Sequence, residues 1–251
     1  MKEEIRRLPD AKIVDYKVTW DTEKHRVTGM EELGERVYGL LAEMIEEECE
    51  GKEPKTLQEH LSNEISVIKE RYLSSYIPRG REEYAILRHL VNYQVRNRTE
   101  DRDVPYTYVC GEAGTGKSAL MAACENRLSE NGEYTILYFC GAPGCQSVTA
   151  LKKMMVYRLE QILEVPIGRT EGKLNEKLQY LNAKIGMKKI YCFVDALDQL
   201  FSDMDEWYLD IFTLCPDIYF VLSALPEFPI NKILEKAIRK AIRVEITGLA
   251  R

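Results

Sequence analysis

Residues 108–122 read YVCGEAGTGKSALMA. An apolar run enters a turn that carries almost no side chain, and the turn ends on Lys-Ser and a second apolar run. Within it, Gly111–Ser118 has the spacing G-x-x-x-x-G-K-S, between a predicted strand and a predicted helix. That context is what gives the spacing its meaning. Gly111, Gly114 and Gly116 let the backbone bend tightly and aim its N–H groups inward. Those N–H groups and the helix N-terminus behind them favour anions. Lys117 is placed to reach outer phosphates as a point charge, and the Ser118 hydroxyl to ligate Mg²⁺. Gly111, Glu112, Ala113, Gly114, Thr115, Gly116, Lys117 and Ser118 therefore form a candidate cradle for the phosphates of ATP or GTP with Mg²⁺. The bland alternative is a glycine-rich turn that binds nothing.

Working outward, the run KKIYCFVDALDQL (188–200) is an apolar strand ending in Asp195, with a second acid, Asp198, three residues on. A carboxylate at the end of a buried strand beside such a loop can hold Mg²⁺. Asp198 can orient or deprotonate an attacking water, or cap the next helix. A third apolar strand, in DIYFVLSALPE (217–227), ends in Ser223. In hydrolytic sheets of this type a polar side chain on the strand between the loop strand and the acidic strand touches the attacking water or the γ-phosphate. Ser223 is placed for that, or else caps its own loop.

The chain has 251 residues and a formal net charge of −6, with 45% hydrophobic and 30% charged residues. This is ordinary for a soluble globular chain. The acidic balance argues against a dedicated nucleic-acid binder, whose footprint is a basic patch. Cys110, Cys140 and Cys192 sit in apolar runs and read as reduced core residues. Cys140 and Cys145 lack the neighbouring Cys or His pair that zinc requires. There is no signal peptide at the start and no apolar run of membrane-spanning length. A cytoplasmic, reducing setting is expected, with no membrane and no nucleic acid as partner.

Strands are expected at 11–18, 106–110, 134–140, 190–194, 218–222 and 244–246. Helices are expected at 30–48, 56–73, within 77–94 after its Pro and Gly punctuation, and at 117–130, 148–163, 173–185 and 231–240. From about residue 101 strands and helices alternate. Continuous apolar strands separated by helices imply a mainly parallel sheet covered on both faces. The expected fold is α/β, a three-layer P-loop NTPase sandwich on a five-stranded sheet.

At these residues the chain resembles a known group. FVDALDQL (193–200), with a small residue after the strand-end aspartate and a second acid two further on, is similar to the NACHT group of signal-transduction ATPases with numerous domains. YFCGAPGCQSVTALKKMMVYRLEQIL (138–163) looks like that group's second strand, Ser-bearing loop and following helix. DEWYLDIFTLCPDIYFVLSALPE (205–227) resembles the nephrocystin-3-like and telomerase-protein-component-like branch, with Ala224 where other members carry an arginine. YIPRGREEYAILRHL (76–90) is similar to the Gly-Arg-Glu-Glu element that borders the adenine in that family. This resemblance nominates Gly80 and Arg81 for the base, against a helix-starting loop with a surface arginine.

Residues 1–50 look like the tail of a flavodoxin-like domain that precedes the ATPase in some relatives. The resemblance thus implies a partial flavodoxin-like segment (1–50), a helical linker (51–100) and an NTPase core (101–251) without the family's C-terminal lid. It implies a slow, nucleotide-hydrolysing switch or scaffold module, partnered through C-terminal repeats or self-association. A small-molecule kinase, with VPIGRTEGK (165–173) as its lid, and a nucleotide-stabilised scaffold are the alternatives.

Overall fold

The computed structural model describes residues 19–22, 25–28, 33–41, 56–96, 106–200, 210–229 and 241–248. The chain divides into two compact units, Met1–Lys55 and Thr56–Arg251. In the first, β1 (Thr19–Asp21) and β2 (Arg26–Thr28) form an antiparallel hairpin, and 33–41 is helical (α1). The hairpin was not anticipated, and the expected strand at 11–18 lies outside the described residues.

The second unit begins with α2 (Leu57–Ser74) and α3 (Gly80–Arg96). Then follow β3 (Tyr106–Cys110), α4 (Lys117–Glu130), β4 (Tyr134–Phe139), α5 (Val148–Ile162), α6 (Leu174–Ala183) and β5 (Ile190–Asp195). A single 3₁₀ turn (Leu197–Leu200), α7 (Ile211–Leu214), β6 (Ile218–Ala224) and β7 (Ala241–Glu245) complete it. The expected helix at 231–240 lies outside the described residues.

The five strands β3–β7 pair in parallel in the order β4-β5-β6-β3-β7. Every residue of β3, β5 and β6 is buried, which is why these strands read as unbroken apolar runs. The chain leaves β3 for the far edge and then steps back one strand at a time. With right-handed crossovers, that reversal puts α4 on one face and the later helices on the other. Loops that diverge to opposite faces open a crevice at the strand C-termini, where ligands of such sheets bind. The glycine loop, Asp195 and Ser223 all lie at that end.

The helices assigned to a linker belong to the same compact unit as the sheet. Thr56 starts α2 with a reciprocal cap: its hydroxyl accepts from Glu59 N at 3.2 Å, and Glu59 accepts from Thr56 N at 2.8 Å. Leu61 and Ile65 are buried on its inner face, and Tyr72 packs on Phe139 of β4 with ring centroids 5.4 Å apart. Lys69 pairs with Glu125 of α4 at 2.8 Å, and Thr135 of β4 donates to the same carboxylate at 2.6 Å. This buried pair locks α2 to the helix that carries the glycine loop.

Removing one partner of a buried pair costs about 3 kcal/mol, because the other charge is left uncompensated. Lys69→Met should therefore lower the urea-unfolding free energy by about that amount, and adding Glu125→Gln should recover much of the loss. A change under about 0.5 kcal/mol, the size of an ordinary surface substitution, would mean that α2 is a dispensable appendage.

Candidate functional site

The glycines of Gly111–Ser118 are required for two different reasons. Gly114 and Gly116 have φ of +76° and +90°, which L side chains rarely adopt. Gly111 is required by crowding: a Cβ there would lie 2.5 Å from the Ile246 carbonyl oxygen, just after β7. Ile246 N in turn donates to Cys110 O at 2.8 Å, so the chain leaving β7 is laid directly on the start of the loop.

Several of the loop's carbonyls are taken up by side chains, two from the loop itself and one from outside it. Lys117 Nζ donates to Gly111 O at 2.5 Å and Glu112 O at 2.9 Å. Thr115 Oγ1 also donates to Glu112 O, at 2.8 Å. Arg79 Nη2 donates to Thr115 O at 2.7 Å, and Arg79 Nη1 to Thr247 O at 2.9 Å. Glu112, Ala113 and Gly114 are exposed at the mouth, while Lys117 and Ser118 are half-buried.

Asp195, at the end of β5, is 3% exposed. Its carboxylate accepts from the Ser223 hydroxyl of β6, and the Ser118 hydroxyl at the start of α4 is close enough to favour its ionised form. Hydroxyls from β6 and α4 thus converge on one carboxylate. Burial pushes the Asp195 carboxyl above its usual range, against the lowering pull of both hydroxyls and of Lys117. Ala196 follows with φ +55°, a conformation that disfavours bulky side chains and explains the small residue there. That turn lets Ala196 N donate to Ser223 Oγ at 2.9 Å.

Asp198 lies inside the 3₁₀ turn rather than capping a helix. Half-buried, it accepts from Leu225 N at 3.3 Å and from Gln199 Nε2 at 3.1 Å, so it joins the ends of β5 and β6. Ser223 is fully buried and its hydroxyl proton is committed to Asp195. Its position on the strand between β3 and β5 is the one anticipated. What it touches is the acidic residue.

Arg81 is exposed at the first turn of α3 and lines a cleft of about 580 Å³ with Glu82, Ala85, His89, Arg243, Val244, Glu245 and Thr247. The element flagged in sequence is therefore near the loop, but the side chain that touches the loop is Arg79. Its signal was the neighbouring Gly-Arg-Glu-Glu run itself. Only the turn of the chain shows which arginine faces inward.

The residues suit Mg²⁺ with a nucleotide. One hydroxyl and one buried carboxylate are in contact, a small donor set matching the way Mg²⁺ is held by one or two protein groups plus phosphates and water. No group of three or more His, Cys, Asp or Glu suited to an all-protein metal site occurs among the described residues. Cys110, Cys124, Cys140, Cys145, Cys192 and Cys215 are free and buried, as expected of reduced core residues. No helix among the described residues is long and apolar enough to cross a membrane.

No protein-family model and no curated protein matches the chain. Solved structures match its fold. They include Drosophila ORC bound to GC-rich DNA and Cdc6 (14% identity, TM-score 0.47, covering 78% of this chain and 64% of that one). Cdc6p from Pyrobaculum aerophilum matches at 16% identity and TM-score 0.44, covering 70% of this chain and 48% of that one. The Aeropyrum pernix ORC1 protein in complex with DNA matches at 12% identity and TM-score 0.45, covering 70% and 47%. The chain thus spans about half the length of the two archaeal proteins. At these values the likeness is one of general α/β architecture and carries no argument about activity.

One expectation is corrected. Two of these neighbours are bound to DNA, and the acidic balance by itself does not set nucleic acid aside as a partner. Net charge sums the whole surface and does not report a local groove.

Because the folded-state pKa of Asp195 is raised, the ionised carboxylate destabilises the fold. The penalty is absent below the ordinary carboxylate range and grows as pH rises toward the raised value. Asp195→Asn should therefore melt higher than the parent at pH 7.5 without ligand, and the gap should shrink at pH 4.5. A lower melting temperature for the variant at both pH values would contradict this reading of the site.

Proposed function

We propose that this chain binds a purine nucleoside triphosphate with Mg²⁺ and hydrolyses it slowly, as a nucleotide-dependent switch of the NACHT type. The observation that carries the reading is the meeting of Lys117, Ser118 and Asp195 at an exposed glycine loop with two glycines at positive φ. In this reading the N–H groups of 111–118 hold the phosphates, Lys117 neutralises the outer ones, and Ser118 and Asp195 hold Mg²⁺. Ser223 orients the Asp195 carboxylate, and Asp198 is the group left to orient water. The cleft beside Arg81 takes the base. Bound Mg²⁺ would supply charge neutralisation at the phosphates.

Slow turnover follows from what surrounds the phosphates. Positive charge on the transferring group, as from an arginine finger, is worth about 10³–10⁵ in rate. Here β6 ends in Ala224, and the guanidinium of Arg79 is engaged by two backbone carbonyls. The kinase alternative loses support at 165–173. Gly168 N and Thr170 Oγ1 both bond to the buried Glu160 of α5, at 2.9 Å and 2.6 Å. A segment fastened in that way is poorly suited to close over a substrate.

Lys117→Ala should weaken ATP or GTP binding about ten- to hundredfold, the worth of one charge-assisted contact of about 1.5–3 kcal/mol, and leave adenosine binding unchanged. Phosphate release by the parent should stay well below one per second. Equal triphosphate affinity in variant and parent, measured by calorimetry, would refute the site. A turnover of about 1–10 per second, approaching that of GAP-assisted hydrolysis, abolished by Lys117→Ala, would replace the switch with a dedicated NTPase.

A further inference from the structure

Arg79 is 8% exposed, yet it belongs to no sheet strand and precedes the first turn of α3. Its guanidinium lies under the phosphate loop, about 3.8 Å from where a Cβ on Gly116 would be. One arm takes Thr115 O and the other Thr247 O, residues 36 and 168 positions away in sequence. Its backbone is also fixed. Arg79 N donates to Glu83 Oε1 at 2.9 Å, and Tyr76 OH donates to the same oxygen at 2.6 Å. Glu83, 1% exposed, pairs through its other oxygen with Arg127 of α4 at 2.8 Å. A closed ring therefore runs from the N-terminus of α4 through Arg79 and Glu83 back to α4 at Arg127.

The peptide between Thr115 and Gly116 is trans, as no cis bond occurs among the described residues. In a trans peptide the C=O and the following N–H point in opposite directions. Holding the Thr115 carbonyl against Arg79 therefore turns the Gly116 N–H away from Arg79 and toward the concave side of the loop. Gly116, at φ +90°, has the freedom to accept that orientation.

Resting on the nucleotide reading above, we infer that Arg79 is a positioning residue: it aims the Gly116 N–H at the bound phosphates and ties that aim to the segment leaving β7 at Thr247. It touches no ligand itself. Its guanidinium fork suits two carbonyls at once, which a lysine ammonium on its flexible stem does not reproduce.

The test compares the parent, Arg79→Gln, Arg79→Lys and Lys117→Ala by calorimetry with adenosine, ADP and ATP. It also follows the Gly116 amide of ¹⁵N-labelled protein by NMR. Arg79→Gln should lose about tenfold in affinity for ADP and ATP alike, about the worth of one hydrogen bond, with adenosine binding unchanged. Lys117→Ala should instead penalise ATP more than ADP. The Gly116 amide proton should move downfield on adding ADP to the parent and much less in Arg79→Gln. Arg79→Lys, which can keep one carbonyl, should fall between, and it decides the matter if the Gln variant does not fold.

Parent-like ADP affinity and a full Gly116 shift in a folded Arg79 variant would overturn the inference while leaving the nucleotide site intact. An equal loss of adenosine binding would also overturn it, since that marks a general structural defect. A parent that binds neither ADP nor ATP would overturn both.

Discussion

The capture of the glycine loop's carbonyls by side chains is the feature on which the rest of the site depends. A peptide group has two ends, and N–H groups can face an anion only if the carbonyls have somewhere else to go. Here three of them have side-chain donors. Lys117 takes Gly111 O and Glu112 O, and Arg79 takes Thr115 O. The Ile246 carbonyl, packed where Gly111 has no Cβ, closes the loop from the β7 side. The loop is thus set before any ligand arrives, and the groups that hold it come from three separate parts of the chain. Preorganisation of this kind reduces the ordering cost of binding.

The second organising element is the carboxylate of Asp195. It sits at the end of a central strand, where burial disfavours its charge, and it is retained with two hydroxyls, Ser118 and Ser223, aimed at it. A fold optimised for stability alone would not leave an ionisable group there. Such conflicts between local environment and residue type cluster at functional sites. Because β6 lies between β3 and β5, the Ser118 hydroxyl must reach across a strand to meet the acid. That is how two motifs some 77 positions apart in sequence come together at one place.

Much of this was legible in the chain. Fully buried parallel strands leave unbroken apolar runs, so β3, β5 and β6 were placed to within two residues. The glycine loop announced itself through glycines that a tight turn requires. What was not legible shares a physical cause. The 3₁₀ turn at Leu197–Leu200 and the helix at Ile211–Leu214 are too short to show a period. The helices α2 and α3 read as a linker because the partners of their inward-facing side chains, such as Phe139 for Tyr72, Glu125 for Lys69 and Arg127 for Glu83, lie far along the chain. Surface charges and such partners look alike in sequence. Arg79 and Arg81 likewise differ only in which way the chain turns. Ser223 was placed on the correct strand, but its partner, Asp195, is set by register and not by composition.

The most direct test of the central claim is a thermal melt of the parent chain against increasing Mg-ATP, Mg-GTP, Mg-ADP and Mg-GDP. A ligand that binds only the folded state stabilises by about 2.7 kcal/mol at a hundredfold excess over Kd. For a chain of this size that corresponds to a rise of roughly 5–10 °C. The account predicts such a rise with at least one purine nucleotide, larger with Mg²⁺ than without. A melting temperature unchanged across millimolar concentrations of all four would contradict it.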